Sequence, residues 1–155
     1  MYTQSSVSLS PPSGSGDAKS LYSDEYACVL LTNEARLIRL KRTAQAYPDL
    51  AALLGSYEKV IAAIDRTGRR GRALLVDTRA PSGRNDAWFE QGMASVRPRI
   101  DRGFARVGVL TQTRIGTLQI RRWVNEDGIE RLAGCDEELL IAELLSGLLP
   151  RPRFG

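Results

Sequence analysis

The residues with the most chemical potential follow one short apolar run. Arg72-Ala73-Leu74-Leu75-Val76-Asp77 reads as a central strand ending on a carboxylate, and close behind it come Arg79, Ser82, Arg84, Asp86 and Glu90. The carboxyl end of a sheet strand is where ligands gather in open α/β folds. Carboxylates and guanidiniums at that place suit an anionic group, a magnesium ion or a charged protein surface. A second polar loop, Thr111-Gln112-Thr113-Arg114-Ile115-Gly116-Thr117, follows another apolar run, and adjacent parallel strands would bring both loops to one side. Asp77, Arg79, Ser82, Arg84, Asp86, Glu90, Thr111, Thr113 and Arg114 are therefore the candidate partner-facing residues.

Catalysis has little to work with. The 155 residues include no His, which removes the usual neutral-pH base, the imidazole metal ligand and every His-based triad. Two carboxylates at the spacing of Asp77 and Asp86 specify neither a glycosidase pair nor a metal site. Gly68-Arg69-Arg70-Gly71-Arg72 has glycines and cations but fits neither phosphate-loop pattern, and it leads into a strand instead of opening a helix. No catalytic, cofactor-binding or metal-ligating residue is assigned, and no enzymatic activity is expected.

The charge is arginine-rich: only Lys19, Lys41 and Lys59 are lysines among 22 basic residues, against 18 acidic ones. Arginine favours bidentate pairing with carboxylate or phosphate. Arg69, Arg70, Arg72, Arg97, Arg99, Arg102 and Arg106 form an alternative basic surface for nucleic acid. A net charge of +4 is small for a polyanion binder, and Trp88, Phe89, Phe104 and Trp123 stand where core packing explains them, so protein docking is preferred.

Positioning these residues calls for alternating strands and helices. Residues 1–24, rich in Ser, Gly and Pro, read as a disordered tail, residues 25–149 as one domain, and residues 150–155 as a basic end. Tyr26–Leu31 and Arg36–Leu40 read as a hairpin whose second strand buries Ile38 and Leu40. Leu50, Leu53, Leu54, Tyr57, Ile61 and Ile64 recur at helical spacing behind Pro48. Asn85 or Asp86 would cap a helix ending before Pro98. Phe104–Leu110 supplies a strand, Thr113 or Thr117 a cap, Ile129–Leu132 a short edge strand, and Asp136 the cap of a last helix stopped by Pro150. Right-handed crossovers place the strands through Leu74 and Val107 side by side and parallel. Cys28 and Cys135 read as separate buried thiols, which suits a reducing cytoplasm. The N-terminus lacks a secretory pattern, and apolar runs such as Ala27–Leu31 are too short to cross a bilayer.

This order of elements, with the hairpin over Tyr26–Lys41, the strand closing on Leu74-Leu75-Val76-Asp77 and the loop and helix after it, resembles the STAS family, especially its SpoIIAA-like group, over about residues 25–149. The resemblance implies an α/β fold, a mixed sheet with an N-terminal antiparallel hairpin and flanking helices. In antagonist-type STAS regulators a Ser or Thr at the start of the helix after this strand accepts phosphate. Here that place reads Asn85-Asp86-Ala87, so the phosphoacceptor is not carried over. The function expected is a non-catalytic, cytoplasmic regulator or scaffold that docks another protein, with homodimerisation left open and no membrane insertion. A small anionic-ligand sensor in the strand-end crevice is the first alternative, and nucleic-acid binding the second.

Overall fold

The computed structural model describes residues 18–148. Six strands and four helices alternate along the chain: β1 (Lys19–Ser23), β2 (Ala27–Thr32), β3 (Leu37–Arg42), α1 (Leu50–Thr67), β4 (Ala73–Asp77), α2 (Ala87–Asp101), β5 (Arg106–Leu110), α3 (Arg114–Asp127), β6 (Leu132–Gly134) and α4 (Glu137–Ser146). The strands lie in one sheet in sequence order, antiparallel from β1 to β3 and parallel from β3 to β6. The expected mixed α/β architecture, with antiparallel N-terminal strands and flanking helices, is the one observed. Leu74 pairs with Val107 in the parallel register.

Strand order explains the layering. Each βαβ unit steps in the same direction across the sheet, so right-handed crossovers send α1, α2 and α3 to one face. On that face Leu53, Tyr57, Val60, Ile61 and Ile64 of α1 and Val96 and Ile100 of α2 pack on Val29, Ile38, Leu40, Leu74 and Val107. Only α4 returns to the other face, where Leu140 and Leu144 cover Leu37, Ala73, Leu75 and Leu110. Leu37 is therefore as buried as Ile38 and Leu40, since its end of β3 is covered on both sides. Gly108 lets α4 approach closely; a Cβ there would stand 3.0 Å from Leu144 Cδ1.

Three expected boundaries change. The tail assigned to residues 1–24 contains strand β1, because Leu21 and Tyr22 find cover against the first core. Asp24 then fixes the β1–β2 corner, accepting hydrogen bonds from the Tyr22 and Ser56 hydroxyls at 2.6 and 2.8 Å and from the amides of Tyr26 and Ala27. Residues 1–17 and 149–155, which include the last residue of the expected domain and the basic end 150–155, lie outside the described residues. Helix α2 runs through Pro98 to Asp101, since burial of Ile100 and Asp101 outweighs the hydrogen bond that proline cannot make.

The edge strand falls at Leu132–Gly134 and not at Ile129–Leu132. Arg131, 1% exposed at its side chain, reaches Asp101 at 2.6 Å and Asp127 at 2.7 Å, which holds residues 129–131 in a loop. The cysteines also depart from expectation: both are free, but Cys28 is half-buried and Cys135 exposed.

Candidate functional site

Asp77 is 2% exposed, at the carboxyl end of β4 on the α4 side of the sheet. Its Oδ1 accepts from the Arg79 amide at 3.1 Å and from Arg79 Nε at 3.0 Å, and its Oδ2 accepts from Arg79 Nη2 at 2.8 Å. Arg79 Nη2 also donates to Glu137 Oε1 at 2.7 Å, and Arg39 Nη1 stands 3.0 Å from Glu137 Oε2. With Arg39 Nη2 at 3.9 Å from Asp77, two guanidiniums and two carboxylates close into a ring that ties β3, β4 and α4. Burial raises the Asp77 and Glu137 carboxyls, but Arg79 and Arg39 hold both below the ordinary range. This ring satisfies itself.

The second carboxylate is equally committed. Asp86 precedes α2 without capping it, because its oxygens take Arg84 Nε and Nη2 at 3.2 and 2.9 Å. The Arg84 guanidinium lowers the Asp86 carboxyl, donates to the Tyr47 carbonyl at 2.8 Å, and lies 4.7 Å from the Trp88 ring and 5.0 Å from that of Phe89. Thr113 does cap α3, accepting from Gly116, and Asp136 caps α4, accepting from Leu139. The Thr111 hydroxyl is buried between the Thr113 carbonyl and Thr117. Ser82, Glu90 and Arg114 remain exposed.

The two strand-end loops do meet. The Thr78 amide and hydroxyl both donate to the Leu110 carbonyl, and the Gln112 side chain donates to the Arg79 carbonyl. Asp77 and Asp86 do not share a pocket: Asp77 faces α4, whereas Arg84 and Glu90 border the opposite face.

On that opposite face the sheet carries a crevice of about 390 Å³. Its floor is Leu40, Val76 and Val109 at the strand ends, and its walls include Phe89, Met93 and Arg97 of α2 and Gly116, Ile120 and Trp123 of α3. It lies between α2, which packs on α1, and α3, which packs on β6. Thr78, Ser82, Thr111, Gln112 and Gln119 add hydrogen-bonding groups.

Arg97 is the unusual wall residue. Its guanidinium lies on the Trp123 ring, 3.7 Å from the centroid. Among the described residues it has no hydrogen-bond or ion-pair partner, and its Nε is buried. The nearby Asp101 is occupied by Arg131, whose own guanidinium stands 5.6 Å from the same ring. Burial and the neighbouring Arg131 push Arg97 downward from its ordinary value.

Four other members of the basic surface are turned inward or paired. Arg69 donates to Asp65 and to the carbonyls of Ile100 and Arg102; Arg72 donates to those of Ala35, Thr67 and Gly68. Arg99 pairs with Glu58, and Arg106 reaches the Glu143 carbonyl. Arg70 and Arg102 are exposed. Sequence reasoning missed Arg39, Glu137, Arg131 and the Arg97–Trp123 stack. The first three are single charges in unremarkable contexts. A signal for the stack existed in the aromatic at Trp123, which falls on the inner face of α3 beside Ile120.

Among the described residues no helix is long and apolar enough to cross a membrane, and no group of three metal-ligating side chains is positioned to hold an ion. No protein-family model matches the chain, and no curated protein matches it. One solved structure is similar to it: an uncharacterized protein of the DUF3478 family with a SpoIIAA-like fold from Shewanella loihica PV-4, at 14% identity and a TM-score of 0.49, over 83% of this chain and 92% of that one.

Proposed function

We propose that this domain is a non-catalytic regulatory module that binds a small molecule in the crevice between α2 and α3. The single observation behind this is the crevice floored by Leu40, Val76 and Val109 at the carboxyl ends of parallel strands. Its volume is within the range of ligand pockets, and its lining follows their usual pattern of apolar walls with a few polar groups. The candidate docking residues support a protein interface less well, since Asp77, Arg79, Arg84 and Asp86 satisfy one another.

Thermal denaturation against a panel of small aromatic and aliphatic acids, amides and amines tests this reading. A compound at about 100 times its Kd stabilises the fold by about 2.7 kcal/mol, a shift of several degrees in Tm. Met93→Trp, which fills the crevice from α2, removes that shift while leaving the unliganded protein folded. A shift that persists in this variant would place the binding elsewhere.

A further inference from the structure

We propose that the crevice selects an organic monoanion: an apolar, ring-sized body carrying one carboxylate that docks on the Arg97 guanidinium. This rests on the crevice being a ligand site and adds the class of ligand.

Three features of the lining lead there. The first is the bookkeeping of charge. Arg42 donates Nε to the Tyr26 carbonyl and Nη2 to that of Gln45, Arg84 is held by Asp86, and Asp101 by Arg131. Arg97 is the guanidinium left without a hydrogen-bond acceptor among the described lining residues.

The second is orientation. A guanidinium carries its five N–H donors in its plane, so a ring that covers its face leaves its edge free. Trp123 takes the face of Arg97 and holds it at the wall, and with Nε buried the edge presented to a carboxylate is that of the two terminal Nη groups.

The third is the count of charges. Arg84 is neutralised by Asp86 and Asp101 by Arg131. This leaves the cations Arg42 and Arg97 against the carboxylate of Glu90 among the described lining residues, a net single positive charge that matches one negative charge better than a dianion such as a phosphate monoester. The floor of Leu40, Val76 and Val109 and the sides of Phe89, Met93 and Ile120 fit an apolar body.

Calorimetric titration with 2-naphthoate and its neutral analogue 2-naphthamide separates the two levels of the claim. Wild type should bind the acid at least about tenfold more tightly than the amide, the scale of one charge-assisted hydrogen-bonded contact. Arg97→Gln should bring the two compounds within about twofold of each other while leaving amide affinity near that of wild type. Arg102→Gln, an exposed arginine outside the crevice, should leave the preference intact.

Equal affinities in wild type, or a preference that survives in folded Arg97→Gln, would overturn the anion assignment and leave the crevice reading standing. Binding of neither compound to wild type would count against both. Should Arg97→Gln fail to fold, Arg97→Lys keeps the charge without the planar edge; a reduced but nonzero preference is then expected, and an undiminished one contradicts the proposal.

Discussion

Asp77 is the residue whose removal should be felt most widely, because it is buried and both Arg39 and Arg79 lean on it. Asp77→Asn keeps the shape but leaves two guanidiniums to share Glu137. Breaking a buried pair costs about 3–5 kcal/mol, and the partial exposure of Arg79 reduces this to about 2–4 kcal/mol, measurable by urea denaturation at neutral pH. The acid limb gives an independent check. Arg79 and Arg39 depress the folded-state values of Asp77 and Glu137, so their contribution is complete above the ordinary carboxylate range and is lost as pH falls through the depressed values. The advantage of wild type over Asp77→Asn should therefore shrink below about pH 4; an advantage constant to lower pH would show that charge is not its source. The importance of Asp77 was legible from its place at a strand end. Its partners were not, because Arg39 and Glu137 come from distant segments that only the folded sheet brings together. Asp86 misled for a local reason: a carboxylate before a helix normally caps it, but Arg84 two positions earlier competes with the helix amides and wins.

Elements were easier to read than their edges. The apolar periodicity of α1 and the unbroken run of β4 pointed to their types directly, whereas β1, with only Leu21 and Tyr22 as half-buried apolar residues, gave too weak a pattern to separate from the tail before it. Pro98 marked a stop that α2 ignores, since proline removes one hydrogen bond but Ile100 and Asp101 gain burial beyond it. The packing of α4 on β5 yields a sharp test. Gly108→Val places new atoms against Leu140 and Leu144, with the first of them at 3.0 Å, so α4 must shift outward. Overpacking of this kind costs about 1–3 kcal/mol, and Gly108→Ala should cost less. Thermal melts that leave Gly108→Val as stable as wild type would mean that α4 is not seated on β5 as described.

At the scale of the molecule, sequence order in the sheet sends three consecutive crossover helices to one face, and the crevice lies between the second and the third. The parallel adjacency of β4 and β5 and the meeting of the two strand-end loops could be reasoned from the sequence; the full strand order could not, since β1 was read as tail. A crevice at the strand ends was expected from the fold, but its walls were not, because they depend on α2 leaning toward α1 and α3 toward β6, a choice made by side-chain packing rather than by periodicity. The arginines changed meaning for the same reason: Arg97, grouped by sequence with a basic surface, folds inward onto Trp123. The most direct measurement is a methyl-resolved NMR titration with 2-naphthoate. Signals of Val76, Met93, Val109 and Ile120 should move with a common saturation curve, while those of Leu75, Leu140 and Leu144 on the opposite face stay in place. Shifts confined to the α4 face, or no saturable shift at the four crevice residues, would contradict the account.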